Sequence, residues 1–239
     1  MLLQLRSRST PRVPKLSSTQ LSHVDDVLFS SRCPATVIDD VTRADLWTLR
    51  DGEWLNDQVI NAYMSLLTRR ASSPDSAPDK RPRLFLFNTF FFSKLQSDGY
   101  ASVRRWSKKT DLFAMDLVLV PVHLGTHWCM AAIDFSRKTI EYYDSLGGSG
   151  ANAIRVLRRY LHEEHRDKKK EAFDDSGWTD VDGGRAVPQQ KNGYDCGVFA
   201  CMFAETLAGG AKKFAFEQKD MKDLRRRMAY EIAKGKLIV

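Results

Sequence analysis

Apolar residues recur with helical spacing in the first part of the chain. The segment "DQVINAYMSLL" keeps its larger apolar side chains on one helix face, and Asn56 stands just before it as a candidate N-cap. That face consists of Val59, Ile60, Tyr63, Leu66 and Leu67. Upstream, "TRADLWTL" carries the spacing of a capping box at Thr42 and Asp45. The pattern therefore predicts two capped helices in succession.

The middle of the chain changes to short apolar runs that are typical of strands. Four candidates follow one another: "LFLFNTFFF", "DLVLVPVHL", "HWCMAAIDF" and "TIEYYDSL". An amphipathic helix is predicted for "ANAIRVLRRYLHEEH", and two more for "CGVFACMFAETLA" and "DMKDLRRRMAYEIAKG". Helices first, strands in the middle and helices last indicate an α+β domain.

Three polar stretches interrupt these elements. Residues 1–22 are rich in Ser, Thr, Pro and Arg, so we expect a flexible basic arm there and a folded domain over residues 23–239, ordered from near Val24. Residues 70–83 and 166–185 read as surface loops by composition. The length also permits two small domains in place of one.

Composition narrows the class of protein. With 43% apolar and 28% charged residues in 239, the chain is neither disordered nor membrane-embedded in character, and its start lacks a signal-peptide core. The net charge of +7 is spread over several short runs without interleaved aromatic residues, which does not favour a nucleic-acid module. The four cysteines form no C-x-x-C pair and no cluster with zinc-site spacing. We therefore expect an intracellular protein with free thiols.

Cys196 stands where the turn-rich stretch "KNGYD" gives way to a helical pattern. In the first turn of a helix, free backbone N–H groups and the helix dipole lower a thiol pKa and favour the reactive thiolate. A small apolar residue at a helix start is the simpler interpretation of one such cysteine. That simpler interpretation suits Cys129, in an apolar strand, and Cys201, inside a helix.

A nucleophilic cysteine needs a base and an acceptor that orients the base. Among the five histidines, His127 opens a strand candidate after the turn "LGT". Asp144 shares one face of the next strand with Ile140 and Tyr142 by period-two alternation. If these two strands form a hairpin around "SRK", the start of one lies beside the end of the other. This geometry places His127 near Asp144.

Acyl transfer also needs donors for a developing oxyanion. The backbone N–H of Cys196 is one candidate, and a glutamine of the nearby "PQQ" is another. Spacing alone does not choose between Gln189 and Gln190.

Long motifs stand in a characteristic order along the chain. They are "EWLNDQVINAYM", "FNTFFFSKL", "GYASVRRWSKKTDLF", "LVPVHLGTHWCMAAIDF", "YYDSLGG", "PQQKNGYDCGVFACMFAE" and "LRRRMAYEI". In this order they resemble the SUMO-specific (sentrin-specific) cysteine proteases of the ubiquitin-like-protease family, over most of the chain. The resemblance implies a papain-like, adenain-like fold, in which helices flank a central mixed sheet and the nucleophile begins a helix.

The resemblance also implies a role for each candidate residue. It makes Cys196 the nucleophile and His127 the general base and acid. It assigns Asp144 to orient the imidazole, and it selects Gln190, six residues before the cysteine, as the oxyanion-hole side chain.

Substrate contacts follow from the same resemblance. Trp54 and Trp128 would line a narrow tunnel for the terminal Gly-Gly of SUMO, where two flat indoles can clamp a backbone that has no side chains. Contacts to the body of SUMO would fall on Asp57, Phe90 and Arg105.

The implied activity is cleavage after this Gly-Gly through a thioester, which matures SUMO precursors and releases SUMO from substrate lysines. The implied partners are thus SUMO precursors and SUMO conjugates, with no metal, organic cofactor or nucleic acid required. We also expect the protein to be a monomer. We expect it in the nucleus, including the nuclear envelope, with a fraction in the cytoplasm. A protease for another modifier such as NEDD8 and a non-catalytic SUMO-binding module are the alternatives.

Overall fold

A mixed five-stranded sheet forms the centre of the fold. This computed structural model describes residues 14–30, 36–38, 41–73, 81–211 and 213–238. Two short strands, β1 (Thr36–Ile38) and β2 (Val41–Thr42), pair antiparallel apart from the main sheet. The main sheet runs β3 (Leu84–Leu86), β4 (Leu117–His123), β5 (Trp128–Asp134), β6 (Thr139–Tyr143) and β7 (Thr179–Asp182). Its central strands β4, β5 and β6 are antiparallel, and both outer strands pair parallel to their neighbours.

Helices cover both faces of this sheet within the described residues. They are α1 (Ser18–Phe29), α2 (Arg43–Trp47), α3 (Asp57–Ala71), α4 (Phe90–Asp98), α5 (Tyr100–Val103), α6 (Ala151–Lys169), α7 (Cys196–Ala208) and α8 (Met221–Lys234). Successive side chains of β5 alternate between a cluster with α3, α7 and α8 and a cluster with α4 and α6. Because both faces are covered, the central strands read as continuous apolar runs. The predicted α+β class is confirmed.

The predicted helix caps are confirmed. Thr42 and Asp45 form a reciprocal capping box at α2. The side-chain oxygen of Asn56 accepts from the backbone N–H of Val59 at 3.1 Å and so caps α3. Both signals are local, since each cap depends only on residues within one turn.

The predicted end of the flexible arm is wrong. Helix α1 begins at Ser18 behind a capping box formed by Ser17 and Gln20, so the expected boundary between residues 22 and 23 falls inside a helix. The apolar face of α1 packs against α8, and Asp25 is 2.6 Å from Arg226 of that helix. The first part of the expected arm, residues 1–13, lies outside the described residues.

The strand predicted for "LFLFNTFFF" is only half correct. Strand β3 ends at Leu86, and α4 begins four residues later at Phe90. The side chain of Asn88 accepts from the N–H of Phe90 at 3.0 Å, which turns the chain. Phe91 and Leu95 are then buried with helical spacing. Phenylalanine has a high strand propensity, and tertiary packing overrides it here.

The loop predicted for residues 166–185 contains regular structure at both ends. Helix α6 continues to Lys169, and β7 pairs with β6. All four residues of β7 are exposed, so no apolar alternation reveals this strand. Arg158 of α6 contacts both Asp175 and Asp180 and fastens the segment to the helix. For the other predicted loop, α3 reaches Ala71 and residues 74–80 lie outside the described residues.

The start of α6 permits a test of this packing. A Cβ at Gly150 would lie 2.4 Å from ring atoms of Tyr142, whereas a Cβ at Gly193 would meet nothing within 4 Å. We expect Gly150→Ala to lower the free energy of unfolding by about 1 to 3 kcal/mol through overpacking, and Gly193→Ala to change it by less than about 0.5 kcal/mol. Urea denaturation of both variants measures this. Equal stabilities would contradict the packing described.

Candidate active site

Three chain segments meet at one end of the central hairpin. Met130 of β5 pairs with Tyr143 of β6, so the residues just before β5 and just after β6 are neighbours. His127 Nε2 lies 2.6 Å from Asp144 Oδ1, as the hairpin geometry predicted. The third segment is the start of α7, which places the thiol of Cys196 beside His127. The structure thus brings the predicted base, its acceptor and the nucleophile together.

The loop after β6 holds the carboxylate of Asp144. The backbone N–H of Leu146 donates to Oδ1 at 2.8 Å, and that of Gly148 donates to Oδ2 at 2.9 Å. A Cβ at position 148 would lie 2.5 Å from Oδ2, so the close approach of this N–H requires glycine. Burial tends to raise the pKa of Asp144, but the hydrogen bonds from His127 and this loop lower it below its ordinary value.

Cys196 begins α7 and is 3% exposed. Burial alone would raise its pKa. Hydrogen bonds from His127 and from the backbone N–H of Trp128 and Gly197 outweigh burial and lower the pKa of Cys196. This environment favours a thiolate at the helix N-terminus, as the sequence pattern indicated.

His127 forms the other half of the ion pair. Burial opposes its charged form, but the hydrogen bond to Asp144, with smaller contributions from the thiols of Cys129 and Cys196, raises the pKa of His127 to about 12. Because Nε2 faces Asp144, Nδ1 is the ring nitrogen left for Cys196. The raised pKa of His127 and the lowered pKa of Cys196 both favour the imidazolium–thiolate form of the pair.

The structure distinguishes the two glutamines that spacing left open. The amide nitrogen of Gln189 donates to the backbone carbonyls of Asp144 and Val187, at 3.2 and 3.0 Å, and it lies near two more carbonyls. Gln190 donates one N–H to the carbonyl of Asn192 at 2.5 Å. Its side-chain oxygen accepts from Ser145 at 2.6 Å. A primary amide has two N–H donors, so Gln190 keeps one for a ligand.

The two tryptophans differ in exposure. Trp54 is 52% exposed, whereas Trp128 is 6% exposed and stacks on His123 with ring centroids 4.1 Å apart. The indole N–H of Trp128 donates to the carbonyl of Leu55 at 3.2 Å, which ties the segment that carries Trp54 to the start of β5. A Cβ at Gly197 would lie 2.8 Å from the Leu55 side chain, so glycine lets this segment pack beside Cys196.

The predicted contacts to the body of the substrate lie near the start of two helices. Asp57 opens α3, and Phe90 opens α4 with 55% of its surface exposed. Asn61, one turn after Asp57, exchanges two hydrogen bonds with Thr89, each 2.9 Å long, and so fixes the two helix starts to each other. Arg105 is exposed shortly after α5, which packs on α4.

A buried arginine, which the sequence analysis missed, holds two walls of the site. Arg225 of α8 is 1% exposed and pairs with Asp195, the residue before the nucleophile, at 2.8 Å. Its remaining donors reach the carbonyl of Glu53, next to Trp54, and those of Thr48, Arg50 and Tyr194. A signal for this role was present, because Arg225 occupies a position of the apolar stripe of α8.

Cys129 also lies in this site, which its place in an apolar strand did not predict. Its thiol is buried close to His127 and Tyr142, and burial raises its pKa. One ligand atom each of His127, Cys129 and Asp144 lie within 4.8 Å of one another, which is compatible with a metal ion.

In the described part of the chain, no helix is both long and apolar enough to cross a bilayer.

The ion pair predicts how the reactivity of Cys196 depends on pH. Its alkylation by iodoacetamide should rise with pH through an apparent pKa below that of an ordinary thiol, because the thiolate then forms. The rate should stay high to about pH 10, since His127 keeps its proton there. His127→Ala should shift the rise in the alkylation rate toward higher pH, because His127 lowers the pKa of Cys196. Peptide mass spectrometry measures this, with buried Cys201 as an unreactive internal control. Identical profiles for the two proteins would contradict the ion pair.

Comparisons with known proteins agree with this geometry. The model described as the Ulp1 protease family, C-terminal catalytic domain, matches residues 53–237. A sentrin-specific protease of Caenorhabditis elegans is 50% identical over 198 residues, which are 83% of this chain and 28% of that protein. Sentrin-specific protease 2 of Mus musculus is 39% identical over 199 residues, 83% of this chain and 33% of that protein.

A solved structure shows the same likeness. It is the C-terminal Ulp1 protease domain in complex with Smt3, the yeast ortholog of SUMO. It is 31% identical with a TM-score of 0.76, and the match covers 93% of this chain and 97% of that one. The present chain spans about a third or less of the length of the two curated relatives. Within that span, the chain belongs to the Ulp1 protease family, whose C-terminal catalytic domain it matches.

Proposed function

We propose that this chain is a SUMO-specific cysteine protease that cleaves after the C-terminal Gly-Gly of SUMO. The observation that carries the proposal is the position of the His127 imidazole, 2.6 Å from Asp144 and beside the buried thiol of Cys196 at a helix N-terminus. The names of the related proteases and the complex of Ulp1 with Smt3 support SUMO as the substrate. Both precursors and conjugates are proposed substrates.

In the proposed reaction, the thiolate of Cys196 attacks the carbonyl carbon of the last glycine. The scissile bond is a peptide bond in a precursor, or an isopeptide bond to a lysine in a conjugate. Protonated His127 gives its proton to the leaving amine, which departs and leaves a thioester on Cys196. His127 then takes a proton from water, which hydrolyses the thioester. Asp144 keeps the ring oriented through both steps.

The tetrahedral oxyanion would be held by two donors. One is the backbone N–H of Cys196, and the other is the remaining side-chain N–H of Gln190. Ser145 and Asn192 fix the amide of Gln190 from both ends, so the donor is held in place before the substrate arrives. Removal of one such donor costs on the order of 100- to 1000-fold in rate.

We propose that Trp54 and Trp128 flank the terminal Gly-Gly. The Leu55 carbonyl and the Trp128 indole are already hydrogen-bonded, so the segment that carries Trp54 is held beside the start of β5. The exposed ring of Trp54 is free to cover an extended backbone. Side chains larger than glycine would collide with flat rings placed in this way. The body of SUMO would rest on Asp57, Phe90 and Arg105.

We further propose a monomer in the nucleus and nuclear envelope, with a cytoplasmic fraction, that needs no nucleic acid. The scattered Lys/Arg runs support nuclear import. Imaging of a fluorescent fusion checks the location.

Probes with a C-terminal electrophile test the proposed function. The chain should form a covalent adduct with the SUMO probe and not with the NEDD8 or ubiquitin probe. Cys196→Ser should abolish the adduct while SUMO binding persists, and Cys201→Ala, on the same helix, should be labelled normally. An adduct with NEDD8 in place of SUMO would overturn the proposed specificity. Binding without any adduct would favour a non-catalytic module, and labelling of Cys196→Ser would exclude Cys196 as the nucleophile.

The proposed docking surface predicts a separate kinetic effect. Phe90→Ala and Arg105→Ala should each raise KM for a fluorogenic SUMO substrate by about 10-fold, because each removes a contact remote from the reacting atoms. The value of kcat should stay nearly constant. Phe29→Ala is the matched control, since Phe29 is 60% exposed at the end of α1. An equal effect of all three variants, or a loss confined to kcat, would contradict the assigned surface.

A further inference from the structure

Cys129 lies behind the imidazole of His127, on the same face of the sheet. Met130 pairs with Tyr143, so one step further along the hairpin places Cys129 opposite Asp144. His127 is two residues before Cys129 and therefore projects to the same side. An imidazole nitrogen, a thiol sulfur and a carboxylate oxygen thus converge, with all three atoms within 4.8 Å of one another.

We propose that His127, Cys129 and Asp144 form an inhibitory binding site for a thiophilic divalent cation, of which Zn²⁺ is the best fit. The proposed reaction uses the first and third of these residues as base and acceptor. It leaves the buried thiol of Cys129 without a function.

The donor set matches the coordination chemistry of zinc. Zn²⁺ binds imidazole nitrogen, thiolate sulfur and carboxylate oxygen, usually as a tetrahedron. Bond lengths of about 2.0 to 2.3 Å place the ligand atoms about 3.3 to 3.8 Å apart. His127 Nε2 and Asp144 Oδ1, now 2.6 Å apart, would separate slightly to admit the ion. Binding releases the thiol proton of Cys129 and the proton shared by that pair, and water fills the fourth position.

Surrounding groups already orient one of the ligands. The backbone N–H groups of Leu146 and Gly148 hold the carboxylate of Asp144, and Tyr142 lies beside the thiol of Cys129. Such outer contacts fix the direction of metal ligands and raise affinity. Of the three ligands, His127 has the most exposed side chain, at 15% compared with 4% for that of Asp144, while Cys129 is buried.

Occupation of this site would stop the proposed reaction without touching Cys196. The ion would take the Nε2 atom that now faces Asp144, so the acceptor could no longer orient the ring. This consequence depends on the proposed function, whereas metal binding itself does not.

Binding is therefore tested in Cys196→Ser protein, which needs no activity. Titration calorimetry with Zn²⁺ should give one site per chain, and Co²⁺ should produce the sulfur-to-metal absorption band of a thiolate ligand. The further change Cys129→Ala should remove both signals. Cys201→Ala should leave both unchanged. Retention of the signals without Cys129 would overturn the proposed site. If wild type gives both metal-binding signals and Cys196→Ser protein gives neither, the metal binds through Cys196 and the proposed site is wrong.

Activity provides the second readout. The Zn²⁺ concentration that halves hydrolysis of the fluorogenic SUMO substrate should rise at least about 10-fold in Cys129→Ala, relative to the variant's own rate without metal. A chelator should restore the wild-type rate. Equal sensitivity of both proteins would overturn inhibition through Cys129. If neither wild type nor Cys129→Ala hydrolyses the substrate but calorimetry still shows Zn²⁺ binding that depends on Cys129, the proposed function fails and the metal site stands.

Discussion

The guanidinium of Arg225 is the buried charge on which the geometry of the cleft depends. It pairs with Asp195 and donates to backbone carbonyls on both the segment before Trp54 and the turn before Cys196. Such a pair contributes little net stability compared with an apolar replacement, because both charges lose their hydration. Loss of one partner is expensive, however, since it strands the other charge. Arg225 therefore acts as a geometric constraint, which fixes the segment before Trp54 relative to the turn before Cys196.

The chemistry of the site depends on a second constraint, the register of the β5–β6 hairpin. A short turn fixes that register, and the register places His127 beside Asp144. The start of α7 then supplies Cys196 from outside the sheet. No single segment carries the proposed site, because His127, Asp144 and Cys196 lie on three separate stretches of chain. Glycine at position 148 lets its N–H approach the carboxylate of Asp144, and glycine at position 197 lets the Leu55 segment pack beside Cys196.

Features that depend on nearby residues could be predicted from the sequence. The caps at Thr42 and Asn56, the helix that begins at Cys196 and the hairpin are of this kind. Features that depend on distant packing could not. Helix α1 is stabilised by contact with α8, and the exposed strand β7 has no apolar alternation. Spacing left Gln189 and Gln190 equivalent, and only their hydrogen-bond partners distinguish them. The role of Arg225 depends on which carbonyls the fold brings around it.

Hydrogen exchange in Arg225→Lys protein tests the central constraint most directly. Lysine keeps the charge opposite Asp195 but lacks the planar fork that reaches several carbonyls at once. We expect faster exchange of backbone amides both around Glu53–Leu55 and around Tyr194–Cys196, with α6 unchanged and with Arg226→Lys as a neutral control. Wild-type exchange in both segments, or a change in only one of them, would contradict the claim that Arg225 holds the two walls together.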